Sequence, residues 1–168
     1  MTIVRECVRC AGTKSNGSRC SRTTCLYSKY CWQHTQSKKK LKIADSHIEE
    51  GGVGLYTLKP IRKGRIITPY GGELMTSDEY ELDPSEYAIY ITRDLVLDGR
   101  SSQSGLGRYV NDCRSEDRQA GDCRGNNSKI AVNRQQRTAN IKATRNIQRG
   151  EEIFASYGSE YWGHPNGN

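Results

Sequence analysis

Five of the seven cysteines and one of the three histidines fall between residues 7 and 34, in a stretch rich in Gly, Ser and Thr. Cys7, Cys10, Cys20, Cys25, Cys31 and His34 stand among residues too polar to fold by burying apolar surface, so something else must supply the folding free energy. A metal ion can. Soft thiolates with one imidazole suit tetrahedral zinc. Cys31 and His34 form a closely spaced pair, and the run Cys10-x9-Cys20-x10-Cys31-x2-His34 is taken as the ligand set because Gly17-Ser-Arg-Cys20 and Tyr30-Cys31-Trp-Gln-His34 resemble the middle and end of a small motif. Cys7 and Cys25 are left as substitutes for one member of this set or as free thiols. A closed four-ligand site leaves no open position for chemistry, which makes the module a scaffold or a docking element.

At 168 residues and 34% hydrophobic content, the chain can form one ordinary domain with a small appendage. No apolar run is long enough to span a bilayer, and residues 1–10 carry no apolar core of a secretory signal. An intracellular, nuclear protein is therefore expected, one that makes no use of membranes. In a reducing compartment the cysteines are expected to be ligands or free thiols rather than bridges, and an odd count of seven fits a closed disulfide set poorly. The net charge of +7 is uneven: residues 1–44 hold ten Lys or Arg against one Glu (+9), and the remainder sums to −2. Such a basic front attracts polyanions such as nucleic acid, and a solvated basic tail accounts for it equally well. Lys38, Lys39, Lys40 and Lys42 mark residues 38–48 as a basic, partly helical linker, a solvated face before it is a nuclear address.

Beyond the linker, four landmarks couple glycines or tyrosines to strand ends. Glu50-Gly51-Gly52-Val53-Gly54-Leu55 places glycines before an alternating strand, where backbone can approach a ligand closely. Nucleotide-binding Gly-x-Gly loops open a helix, whereas Leu55–Leu58 and Arg65–Thr68 read as strands around Lys63-Gly64, which argues against phosphate binding. Tyr70-Gly71-Gly72-Glu73 follows. Gly107-Arg108-Tyr109-Val110-Asn111-Asp112-Cys113 comes after a strand-like Leu95–Gly99. Last, Asn140–Thr144 alternates like a half-buried strand, and Arg149-Gly150 turns the chain toward Glu151-Glu152-Ile153 and Tyr157-Gly158. A tyrosine before a glycine at a strand end can present a hydroxyl into a cleft while its ring packs; taken alone, the stretch reads as a core tyrosine.

In this order, the four landmarks resemble the SET-domain family of protein lysine methyltransferases, over about residues 49–162. The resemblance implies a mainly β fold with few short helices, small sheets, and a last segment threaded through a loop as a pseudo-knot. It implies S-adenosylmethionine against Gly52, Val53, Gly54, Leu55, Tyr70, Arg108, Asn111 and Asp112, with the tail aromatics Tyr161 and Trp162 closing the lysine channel and Trp162 counted with the cofactor site. It implies Tyr157 as the catalytic tyrosine and Tyr87 as a channel wall. Ala155, two residues before Tyr157, stands where an aromatic limits methylation in many members. The small residue implies progress past one methyl group. The sequence departs from the family at Asp112, where histidine is usual, and at Arg114, where a zinc-binding cysteine is common. It also lacks a Cys-rich tail, so Cys113 and Cys123 are expected as free or buried thiols.

The expected organisation is a Cys/His zinc module (1–37), a basic linker (38–48), a SET-like methyltransferase domain (49–162) and a short tail (163–168). The function this implies is S-adenosylmethionine-dependent lysine N-methylation of a protein substrate, histones among the candidates, with structural zinc and a nucleic-acid contact through the basic front. The rival reading is a zinc-dependent nucleic-acid or chromatin-binding module attached to an inactive SET-like domain, motivated by that front and by Asp112.

Overall fold

A computed structural model describes residues 7–27, 29–49 and 51–158. Its first strands, β1 (Val8–Arg9) and β2 (Thr23–Thr24), pair antiparallel with Val8 opposite Thr24. That register sets Cys7 beside Cys25, their Cα atoms 4.2 Å apart, and the two form a disulfide. The expectation of ligands or free thiols fails for this pair because a backbone ladder, invisible in the spacing, brings the two together.

Helix α1 (Trp32–Lys39) starts directly after Cys31. It ends where Lys40 turns left-handed (φ 57°) and its N–H closes on the Gln36 carbonyl. The chain passes straight into β3 (Leu41–Asp45). The expected basic linker is thus the end of a helix followed by a sheet strand. The lysines conceal a short alternation in which Leu41 is buried in the main core and Ile43 packs against it.

β3 pairs with β4 (Val53–Thr57), and β4 with β11 (Glu152–Ile153), giving the sheet order β11-β4-β3. The two strands expected around Lys63-Gly64 both form, but in different sheets. β5 (Ile66–Tyr70) pairs with β10 (Thr138–Ala143) in a four-stranded sheet ordered β12-β9-β10-β5, which also contains β9 (Ser128–Asn133) and β12 (Ala155–Ser156). A third sheet holds β6 (Glu73–Thr76), β8 (Leu95–Asp98) and β7 (Ala88–Thr92) in the order β6-β8-β7. Short α2 (Ser77–Leu82) follows β6 and opens with a reciprocal cap between Thr76 and Glu79. Leu41, Leu55, Ile91, Leu97, Ile141 and Ile153 join the three sheets in one core. Burying each such side chain contributes roughly 1.5–3 kcal/mol.

The C-terminal segment is held between the two arms of one loop. On one side Phe154 bridges Asn111 in parallel, and the Ala155 N–H donates to the Asn111 carbonyl at 2.9 Å. On the other, β12 pairs in parallel with β9, Ala155 opposite Ser128. The Asn127 side chain donates to the Glu152 carbonyl (2.7 Å) and accepts from the Phe154 N–H (3.0 Å). Between the arms, Cys113 and Cys123 flank α3 (Ser115–Ala120) and are bonded to each other, with Cα atoms 6.0 Å apart. The expectation of free or buried thiols is corrected here too, since the helix folds its two flanks back together. This is the expected pseudo-knot.

Asn127→Ala removes both clasp bonds and strands a buried carbonyl and a buried N–H, each worth about 1–3 kcal/mol. Chemical denaturation should show a loss of about 2–5 kcal/mol, and a loss within experimental error would rule out the clasp as a support of the knot.

Candidate active site and metal centre

In the front module, ligand atoms of Cys10, Cys20, Cys31 and His34 lie within 4.8 Å of one another, the three cysteines buried. His34 Nε2 faces the Thr13 carbonyl at 2.9 Å and donates to it. That leaves Nδ1 as the ligating nitrogen, and it sits 3.5 Å from Cys10 Sγ and 3.4 Å from Cys31 Sγ. Gly12 makes room for the ring, since a Cβ there would come within 2.3 Å of His34 Cγ. Backbone N–H groups of Gly12 and Cys31 point at Cys10 Sγ, 3.3 and 3.1 Å away. The Arg22 backbone amide, helped by the neighbouring cysteines, lowers the Cys20 thiol to about 7, whereas burial pushes Cys31 up. The donor set fits a tetrahedral thiolate–imidazole metal site. Cys7 and Cys25, bonded to each other, drop out as alternatives.

The glycine loop of the main domain is pinned rather than free. Asn111 Nδ2 donates to Ser46 Oγ (3.1 Å) and to the carbonyls of Gly51 and Val53 (3.3 Å each). Behind the loop lies the buried Glu152 carboxylate, and a Cβ on Gly54 would meet its Oε1 at 1.9 Å. The chain's own carboxylate thus requires glycine at position 54. Gly52 differs: its φ of +62° demands glycine, and nothing lies within 4 Å of an added Cβ.

A second cluster forms around Tyr70. Its hydroxyl donates to the Tyr87 carbonyl at 3.0 Å, and the turn glycines after it meet the backbone of 98–104, a Cβ on Gly71 lying 2.0 Å from the Ser104 carbonyl. Tyr87 stacks under the Arg108 guanidinium at 4.2 Å, and Tyr109 is 5.3 Å from the same cation. Burial raises the Tyr109 hydroxyl, with Arg108 acting against it. Arg108 is buried, and among the described residues its Nε has no hydrogen-bond partner. Residues 108–112 form a short spine between this cluster and the knot. At the knot end, the half-buried Tyr157 donates its hydroxyl to the Val110 carbonyl (2.8 Å) and its N–H to Asp112 Oδ2 (2.9 Å). Asn126 Nδ2 holds the other Asp112 oxygen at 2.8 Å. Asp112 thus serves as a clasp on the backbone of Tyr157. Leu55 is fully buried in the core and Val53 is exposed at the mouth of β4. Trp162 and Tyr161 lie outside the described residues.

Residues 52–158 match the family model for the SET domain. This chain belongs to the SET-domain family. It is similar to the N-lysine methyltransferase KMT5A-A of Danio rerio, 27% identical over 123 residues, covering 66% of this chain and 33% of the relative. It is also similar to the histone-lysine N-methyltransferase ASHH2 of Arabidopsis thaliana, 28% identical over 111 residues, 58% of this chain and 6% of that one. The chain therefore spans a third or less of these relatives. Among solved structures, one described as ctPRC2 in complex with H3K27me3 and H3K27M shares the fold at a TM-score of 0.59 and 24% identity, covering 75% of this chain and 15% of that one.

Several residues that organise this SET domain escape a reading of the sequence. Glu152 was visible only as half of an acidic doublet; nothing local distinguishes it from the partly exposed Glu151. Asp98, buried, accepts from Ser85 Oγ (2.7 Å), which in turn accepts from the Tyr87 N–H (3.1 Å), so it positions Tyr87 from a distance of 11 residues in the chain. Asn127 lies next to Asn126, and only the fold tells their roles apart.

Removing the metal with a chelator should unfold residues 10–34 while the main domain stays cooperative, since the module depends on metal for its folding free energy. Heteronuclear spectra during chelation test this: intact dispersion of the 10–34 signals, or no zinc by elemental analysis of metal-replete protein, would refute it.

Proposed function

We propose that this chain is an S-adenosylmethionine-dependent protein lysine N-methyltransferase, with a lysine-bearing protein segment as substrate and histones as first candidates. The observation that carries the reading is the setting of Tyr157. Its proton is committed to the Val110 carbonyl and its backbone is held by Asp112, so the phenolic oxygen turns only lone pairs outward. Such an oxygen accepts an N–H of a lysine amine and so fixes where the amine's own lone pair points. Two relatives whose names denote lysine methyltransferases support the same reading. A nuclear location accords with it.

Free lysine titrates near 10.4, so the amine must reach the site neutral. An aromatic, poorly hydrated channel favours that form by penalising the charge. Tyr87, with its ring held by Arg108 and its backbone by Ser85, is the candidate wall. Bound S-adenosylmethionine supplies an electrophilic methyl group on a sulfonium. Gly52, with open space beside it, Tyr70, and Arg108 with its unpartnered Nε are the residues suited to hold that cofactor beside the loop pinned by Asn111. The protein's share of the rate lies in alignment, because methyl transfer offers few charges to stabilise.

Tyr157→Phe keeps the ring and deletes the hydroxyl. Turnover with a labelled cofactor and a histone mixture should fall by on the order of 10²-fold, with a stability loss of about 1 kcal/mol for one hydrogen bond. Equal turnover by the variant excludes Tyr157 as the orienting group.

Ala155 is fully buried in the cluster that contains Tyr70, Tyr109 and Val110, so no aromatic side chain from this position crowds Tyr157. The wild-type protein with excess cofactor should carry a peptide past one methyl group. Mass spectrometry decides: accumulation of monomethyl-lysine alone means that another residue sets the channel size.

A further inference from the structure

We propose that the face built from the end of α1, the β4–β5 connection and the start of β5 binds the phosphodiester backbone of nucleic acid. A cleft of about 540 Å³ lies there, and five of its lining side chains are cationic: Lys39, Lys40, Lys59, Arg62 and Arg65. Among the described residues, no acidic one lines it. All five are exposed, and none forms an ion pair among the described residues. A second cleft of about 600 Å³ shares Lys40 and continues to Arg149 and to Trp32, which is 48% exposed.

The track is a product of the fold. Two of its cations come from the basic front, whereas Lys59, Arg62, Arg65 and Arg149 come from the part of the chain whose net charge is −2. Pairing of β3 with β4 joins the two sets, and the Leu58 N–H donates to the Lys40 carbonyl at 2.8 Å, which sets Lys40 beside Lys59. Gathering like charges without counter-charges costs self-repulsion, which an anionic partner relieves.

The partner's chemistry follows from shape and composition. A single phosphate would engage two or three of these groups, whereas a row of cations across two clefts matches a polymer with a charge every ~1.7 Å of duplex axis. A bilayer would reach these cations only through its anionic headgroups, and the vesicle arm of the experiment below separates it from nucleic acid. An acidic peptide has no use for an exposed indole at the end of the track, while a nucleic acid base stacks on one.

Fluorescence anisotropy of the metal-loaded full chain with labelled mixed-sequence oligonucleotides, single-stranded and duplex, tests the proposal. Binding to either form is expected, weakening roughly 500-fold for the duplex and roughly 100-fold for the single strand between about 50 and 200 mM salt for five phosphate contacts. The double variant Arg62→Glu, Arg65→Glu should bind roughly tenfold more weakly or worse, with a shallower salt dependence. Arg134→Glu, in the turn at the opposite end of the β9–β10 hairpin from the Ile66–Lys142 pairing, should bind like wild type. Unchanged thermal unfolding of each variant establishes that it is folded. The proposal is overturned if the wild type binds neither oligonucleotide, if binding ignores salt, if the double variant behaves like Arg134→Glu, or if the protein binds phosphatidylserine vesicles and not the oligonucleotides.

Discussion

The buried carboxylate of Glu152 is the interaction on which the rest of this domain leans. A charge removed from water is costly unless hydrogen-bond donors replace the solvent, and here they do. Ser46 Oγ (2.7 Å) and the His47 N–H (2.9 Å) donate to it, the Tyr56 hydroxyl shares its proton between it (2.9 Å) and the Asp45 carbonyl (2.6 Å), and His47 Nδ1 lies at 3.3 Å. Those donors come from the loop after β3 and from β4, while Glu152 itself opens the segment held in the knot. One carboxylate thus locks the glycine loop, the central sheet and the C-terminal segment together. The hydroxyl of Tyr56, pushed well above its ordinary range by burial and then by Glu152, stays protonated as a donor.

From that anchor the ordering spreads along residues 108–112. Asn111 fixes the loop on one side and pairs with the knot on the other, and Asp112 holds the backbone of Tyr157. Rigid placement of a hydroxyl on crossing strands suits a reaction that depends on alignment more than on charge. The front module belongs to the same framework. The Tyr109 hydroxyl donates to the Leu26 carbonyl (2.9 Å), the Tyr27 hydroxyl to the Ile43 carbonyl (3.3 Å), and α1 runs into β3 without a spacer. The Cys/His module and the main domain therefore share an interface one residue from Arg108.

The sequence by itself determined the elements whose cause is local. Alternation marked β10 and an apolar run marked β8; Gly64 and Gly150 marked the turns; and the polar, cysteine-rich front pointed to a metal site, with Cys10, Cys20, Cys31 and His34 as candidate ligands that the fold brings together. The order of the tyrosine and glycine landmarks pointed to the SET family; within them Gly54 and Gly71 sit where a carboxylate or backbone leaves no room for a side chain, and Gly52 where a positive φ favours glycine.

Only the tertiary structure decided what depends on residues far apart in the chain. β4 and β5 enter different sheets because their downstream partners, β11 and β10, lie far along the chain, Glu152 pairing with Tyr56 and Ala139 with Tyr70. Cys7 and Cys25 meet because two short strands pair, and Cys113 and Cys123 because a helix turns the chain back. Of two adjacent glutamates, the one facing Ser46 and Tyr56 became the anchor, and of two adjacent asparagines, the one facing Phe154 became the clasp. Such choices rest on donors supplied by distant segments, and no local pattern carries that information.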